Sequence, residues 1–189
     1  KVGYGEFVKP NILLFFAAFL VFNMTLMAVL SFGPTFLQQQ GVDPTLSGFV
    51  STLPMLLAVI SSPLFGALSD KLGRCKPLYL AMLVMGPCTL ILLTQTGPLM
   101  WVGAIVMGLV GLGGPVMCLT SYINVLGRPE LMSIGMGVLM LIQSLGQFLG
   151  TWLVPLLLGP DVSAWMFTGI VMCVIGFAGT AALALCKFK

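Results

Sequence analysis

The stretch GALSDKLGR, residues 66–74, puts an aspartate, a lysine and an arginine into one tight turn of a chain in which only 7% of residues are charged. Soluble domains carry about 25% charged residues, whereas 59% of these 189 residues are hydrophobic. A surface so poor in charge does not stay dispersed in water. Lipid is therefore the solvent for most of the chain, and the charged turn marks a place where the chain leaves it.

Working outward from the turn, apolar runs long enough to cross the ~30 Å hydrocarbon core lie on both sides. Six spans are read at 11–37, 47–69, 77–94, 99–126, 131–157 and 163–186, joined by QQQGVDPTL, DKLGRCK, QTGP, GRPE and GPDV. Barrel strands would alternate over about ten residues. These runs are continuously apolar, so the fold class is an all-α integral membrane protein with six transmembrane helices. All 8 Lys and Arg fall on one side: Lys1 and Lys9 at the start, Lys71, Arg74 and Lys76 in the second connection, Arg128 in the fourth, and Lys187 and Lys189 at the end. The positive-inside rule then puts the N and C termini in the cytoplasm. The expected location is the plasma (cytoplasmic or inner) membrane, with the lipid bilayer as the first partner.

Composition also excludes. The net charge of +3 is thinly spread, with no basic run to follow a phosphate backbone, so no nucleic acid is expected. There is no histidine, and Cys75, Cys88, Cys118, Cys173 and Cys186 form no CxxC pair; neither a metal site nor a disulfide framework is expected. No Asp, Glu, Lys or Arg falls at hydrocarbon depth, where such groups usually mark proton relays and ion sites. No nucleophile–base pair is seen, so neither an enzyme nor a cofactor is expected. The opening KVGYGEFVKP lacks a methionine and the form of a signal peptide, which suggests a processed or truncated start.

Amides at hydrocarbon depth need partners or water. Asn23 lies in the first span, Asn124 in the fourth, and Gln143 and Gln147 in the fifth, while the third and sixth hold neither amide. Spans one, four and five are therefore expected to line an interior, and three and six to face lipid or act as supports. The second lies between, with Ser51, Thr52, Ser61 and Ser62 and kinks at Pro54 and Pro63. Gly113, Met117, Thr120 and Asn124 share one helical stripe, as do Met136, Met140, Gln143 and Gln147. The candidates to line a solute site are Asn23, Thr25, Thr120, Asn124, Met140, Gln143 and Gln147. The plainer reading of each amide is a bond between neighbouring helices. Gly146-xxx-Gly150, the GLVGLGG of 108–114, and Gly169, Gly176 and Gly179 read as close-packing surfaces.

The turn resembles the signature loop of the major facilitator superfamily, G-x-L-[SA]-D-[RK]-x-G-R-[RK], through Gly66, Leu68, Ser69, Asp70, Lys71, Gly73 and Arg74. Cys75 stands where the family has a basic residue, with Lys76 one place later. The resemblance implies a conformational latch built from Gly66, Asp70, Lys71, Gly73 and Arg74, with Arg128 and Glu130 as partners across the fourth connection. It implies one six-helix half, a single domain over 1–189, with two inverted three-helix repeats at about 11–94 and 99–186. It also implies transport of a small-molecule solute by alternating access against a second six-helix half. That half would be a separate chain, a missing N-terminal half or a second copy. LTSYINVLGRPELMSIGMG and GQFLGTWLVPLLLG resemble the passage from the tenth into the eleventh helix, so the chain is more like the C-terminal half. The alternative is a non-transporting membrane scaffold or assembly module that reuses the fold.

Overall fold

The computed structural model describes residues 7–72, 75–126, 131–160 and 162–186, without the side chains of Ser69, Asp70, Leu72, Cys75, Val116, Thr120 and residues 123–126. It is all-helical over these residues: α1 (Pro10–Gln39), α2 (Pro44–Leu72), α3 (Cys75–Thr94), α4 (Pro98–Leu109), α5 (Gly114–Leu126), α6 (Met132–Leu158) and α7 (Trp165–Leu185). Six stretches are long and apolar enough to cross a membrane, α4 and α5 together forming the fourth.

Local chemistry sets the ends. Pro10 and Pro98 open their helices at positions where a missing N–H costs nothing. Asp43 caps α2, its Oδ1 accepting from the backbone N–H of Thr45 at 2.9 Å and of Leu46 at 3.2 Å. Gly41, at φ 82°, ends α1 while the Val42 N–H returns to the Leu37 carbonyl at 3.0 Å, the hydrogen-bond pattern of a glycine C-cap. Pro54 and Pro63 sit inside α2 without ending it.

The fourth span departs from the continuous helix expected over 99–126. α4 stops at Leu109, a 3₁₀ turn covers Gly111–Gly113, and α5 restarts at Gly114. A 3₁₀ turn advances more per residue around the axis than an α-helix. Of the expected stripe, Gly113 and Met117 face the core, and the side chains of Thr120 and Asn124 lie outside the described residues.

Small residues set how closely the helices pack, as the glycine spacing predicts. A Cβ built on Gly176 would lie 2.8 Å from Gly86 Cα, and one on Gly86 2.9 Å from the Cys173 carbonyl oxygen, so α3 and α7 meet backbone to backbone. Gly150 does the same to α1, 2.5 Å from the Met24 carbonyl oxygen, and Gly146 meets the Leu20 carbonyl oxygen. Hydrogen bonds tie both ends of the bundle. At one end Tyr79 donates to the Leu183 carbonyl at 2.9 Å and the Cys186 thiol to that of Asn11 at 3.4 Å. At the other, Trp165 Nε1–H donates to Gln39 Oε1 at 2.7 Å beside the Phe36 ring, 5.3 Å away.

Burial within the chain differs from the order expected from the amide census. The first span is 67% buried, the fourth 59% and the third 56%, while the sixth is 33% and the fifth only 17% buried. The third span is packed inside, against α1, α4 and α7. Its lack of amides therefore does not mark an outer position. The fifth carries its amides on the span least covered by its own chain.

Candidate functional site

α6 has two unlike edges. Gly135, Leu139, Gly146, Gly150 and Val154 form the seam packed onto the bundle. Beside that seam runs a polar arc in which Gln143, Gln147 and Thr151 are half-buried and Met140 and Ser144 are exposed. The other edge is apolar throughout, with Val138, Ile142, Leu149 and Leu153 half-buried and Leu141, Leu145, Phe148, Trp152 and Leu156 exposed beyond.

The hydroxyls of the arc are satisfied by their own helix. Ser144 Oγ donates to the Met140 carbonyl at 3.0 Å, and Thr151 Oγ1 to the Phe148 carbonyl at 2.9 Å. Among the described residues the side-chain amides of Gln143 and Gln147 have no such partner. Each amide brings two donors and an acceptor, and leaving such groups unmade in hydrocarbon costs several kcal/mol. An arc of this kind therefore faces water or a polar surface. Met140, soft and adaptable, adds an apolar contact that fits many shapes.

α1 contributes less than its amide suggested. Asn23 is 1% exposed, and its Nδ2 donates to the Phe19 carbonyl at 2.8 Å, one turn back. Its Cβ lies 3.1 Å from a Cβ built on Gly146, which places it inside the α1–α6 seam. Thr25 is fully buried, donating to the Phe22 carbonyl at 2.8 Å, with its methyl toward Gly176 of α7. Away from its ends, the exposed positions of α1 are instead Leu13, Ala17, Ser31 and Thr35, while Gln38 and Gln39 are exposed at its C-terminal end. The first four carry no amide and so give no signal in the sequence, although their spacing of four and eighteen residues lies along one helix face.

Of the turn between α2 and α3, Lys71 is exposed and Gly66 half-buried, with nothing within 4 Å of where its Cβ would be. Among the described residues, no close helix approach is made at Gly66. Gly73, Arg74, Arg128 and Glu130 lie outside the described residues, as do the side chains of Asp70, Thr120 and Asn124. Among the described residues no cluster of His, Cys, Asp or Glu could hold a metal ion.

A family model described as the Major Facilitator Superfamily matches residues 1–151. The chain belongs to that superfamily. The match runs from the start of the chain through the polar arc of α6 and includes the charged turn at 66–74. Comparison with curated proteins gave no match. Members of the superfamily are transporters rather than enzymes, and this one is a multi-pass integral membrane protein with a membrane transporter function. In a transporter, a polar arc flanked by a lipid-compatible edge has a ready use, because one helix can then border a solute path and the bilayer together.

Proposed function

We infer that this chain is one six-helix half of a transporter that moves a small solute by alternating access, and that its α6 arc borders the solute path. The observation that carries the reading is the pair Gln143 and Gln147, whose amides have no hydrogen-bond partner among the described residues, on the span in which only 17% of the apolar window is buried within the chain. A second six-helix unit would complete that side. Met140 and the side chains of Thr120 and Asn124 are proposed to join the same lining, whereas Asn23 and Thr25 act by holding α1 against α6 and α7.

The protein is proposed to lie in the plasma membrane with both termini in the cytoplasm; the orientation is supported by every Lys and Arg falling on that side of a six-span chain. On that side, Asp70, Lys71 and Arg74 are proposed to latch against Arg128 and Glu130 when the path is closed there, with Gly66 and Gly73 shaping the turn. The half is proposed to consist of two inverted three-helix repeats.

Labelling with a membrane-impermeant thiol reagent tests the lining, in a background without the five native cysteines. Gln147→Cys and Gln143→Cys are expected to react at least tenfold faster than Phe148→Cys and Leu141→Cys. Equal rates on the two edges would remove the basis for a solute path along α6.

A further inference from the structure

We propose that a phospholipid acyl chain occupies a slot between α3 and α4. The slot has a volume of about 370 Å³, and none of the residues lining it carries a side-chain oxygen or nitrogen. Its floor is Cys88, 3% exposed, and the buried Gly103, while its rim is Leu83 and Val102, 45% and 52% exposed.

The slot follows from where the two helices touch. At one end a Cβ built on Gly103 would lie 2.8 Å from Ile91 Cγ2, and at the other a Cβ on Gly111 would lie 2.8 Å from the Met85 sulfur. Between these contacts the half-buried Val84 and Pro87 of α3 stand on one wall and Val106 of α4 on the other. The wall positions 83, 84, 87, 88 and 91 on α3, and 102, 103 and 106 on α4, recur at helical spacing, so each helix presents one face.

Depth selects the occupant. Counted from Thr94 and Pro98, the wall residues lie three to eleven residues into the two helices. At 1.5 Å per residue that is about 5–16 Å from the ends joined by residues 95–97, or one half of the ~30 Å hydrocarbon core. The slot therefore sits at the depth of one leaflet's chains. Water finds no polar partner there. Another helix, about 10–12 Å across with its side chains, does not enter a slot whose walls touch at both ends. A flexible hydrocarbon chain does. Lipid tails are as apolar as leucine, so no hydrophobic gain holds the chain in place. Dispersion holds it, through contacts with floor and walls that an empty slot forfeits.

The slot is built from α3 and α4, whereas the two spans least covered by the chain are the second and the fifth, 28% and 17% buried. The proposal thus needs only that the chain lies in a membrane. It does not rest on the transport reading, and either can fail alone.

Photolabelling tests it. The protein is reconstituted in phosphatidylcholine vesicles doped with a phosphatidylcholine that carries a diazirine midway along one acyl chain. After irradiation the adducts are mapped by peptide mass spectrometry. Adducts over 83–91 and 102–106 are expected at least fivefold more often per residue than over 166–177 of α7, where Met166, Phe167, Ile170, Val174 and Phe177 are exposed. Val106→Phe, which puts a ring into the slot, is expected to cut those adducts at least fivefold and leave 166–177 unchanged. Should that variant not fold, Val84→Phe is expected to do the same from the opposite wall. Labelling as dense on α7 as in the slot would mean ordinary bilayer contact and overturn the proposal. A slot without adducts, as when a second protein unit covers it, or adducts that the ring leaves in place would overturn it too.

Discussion

α1 and α6 are close in length, 30 and 27 residues, and each carries amides near its middle, yet those amides stand in opposite circumstances. Asn23 is enclosed by α6 and bonded to its own helix, so its polarity is spent inside the fold. Gln143 and Gln147 stand half-buried on the flank of α6, with no hydrogen-bond partner for their amides among the described residues. The same residue type therefore reports packing in one helix and an outside partner in the other. What separates them is position: Asn23 sits inside the α1–α6 seam, whereas the glutamines lie on the flank beside it.

That contrast can be broken by experiment, most severely at the seam itself. Gly146→Leu drives a side chain into the Leu20 backbone and Asn23; a loss of about 3 kcal/mol or more is expected in unfolding from detergent, and an unchanged midpoint would mean that α1 and α6 do not meet there. Asn23→Ala opens a hole in the same seam and is expected to cost about 1–2 kcal/mol. Trp165→Phe keeps the ring beside Phe36 but removes the bond to Gln39, for about 1 kcal/mol. Finally, Gln143→Leu and Gln147→Leu are expected to change stability by less than about 0.5 kcal/mol, since neither amide has a hydrogen-bond partner among the described residues. A large loss from either would assign the glutamines to the same packing role as Asn23.

Much of the fold could be read from the residues because lipid makes apolar length and charge placement nearly sufficient. The six runs and the turn at 66–74 needed no tertiary knowledge, and Gly146 and Gly150 of α6 and the glycines of α7 pack closely, as small-residue spacing predicts. The break at Gly111–Gly113 could not be read, because glycines that admit a neighbour and glycines that interrupt a helix look alike in sequence. Here they do both: Gly113 meets the Phe65 ring and Gly111 the Met85 sulfur while the ladder is broken. The α6 arc was legible because Met140, Gln143 and Gln147 share one helix face. Asn23 and Thr25 were drawn into the same site because an amide or hydroxyl in a span signals polarity but not its direction. The position of α3 was missed for the converse reason, since a fully buried apolar helix and a lipid-facing one have similar composition.

The central claim is that this is half of a transporter whose α6 face is completed by a second six-helix unit. Native mass spectrometry of the gently solubilised protein tests it most directly. The account predicts a particle containing this chain and six further spans, whether in a second copy, another polypeptide or the remainder of a longer chain. A stable particle holding only these six spans, with Gln143 and Gln147 facing detergent, would contradict it.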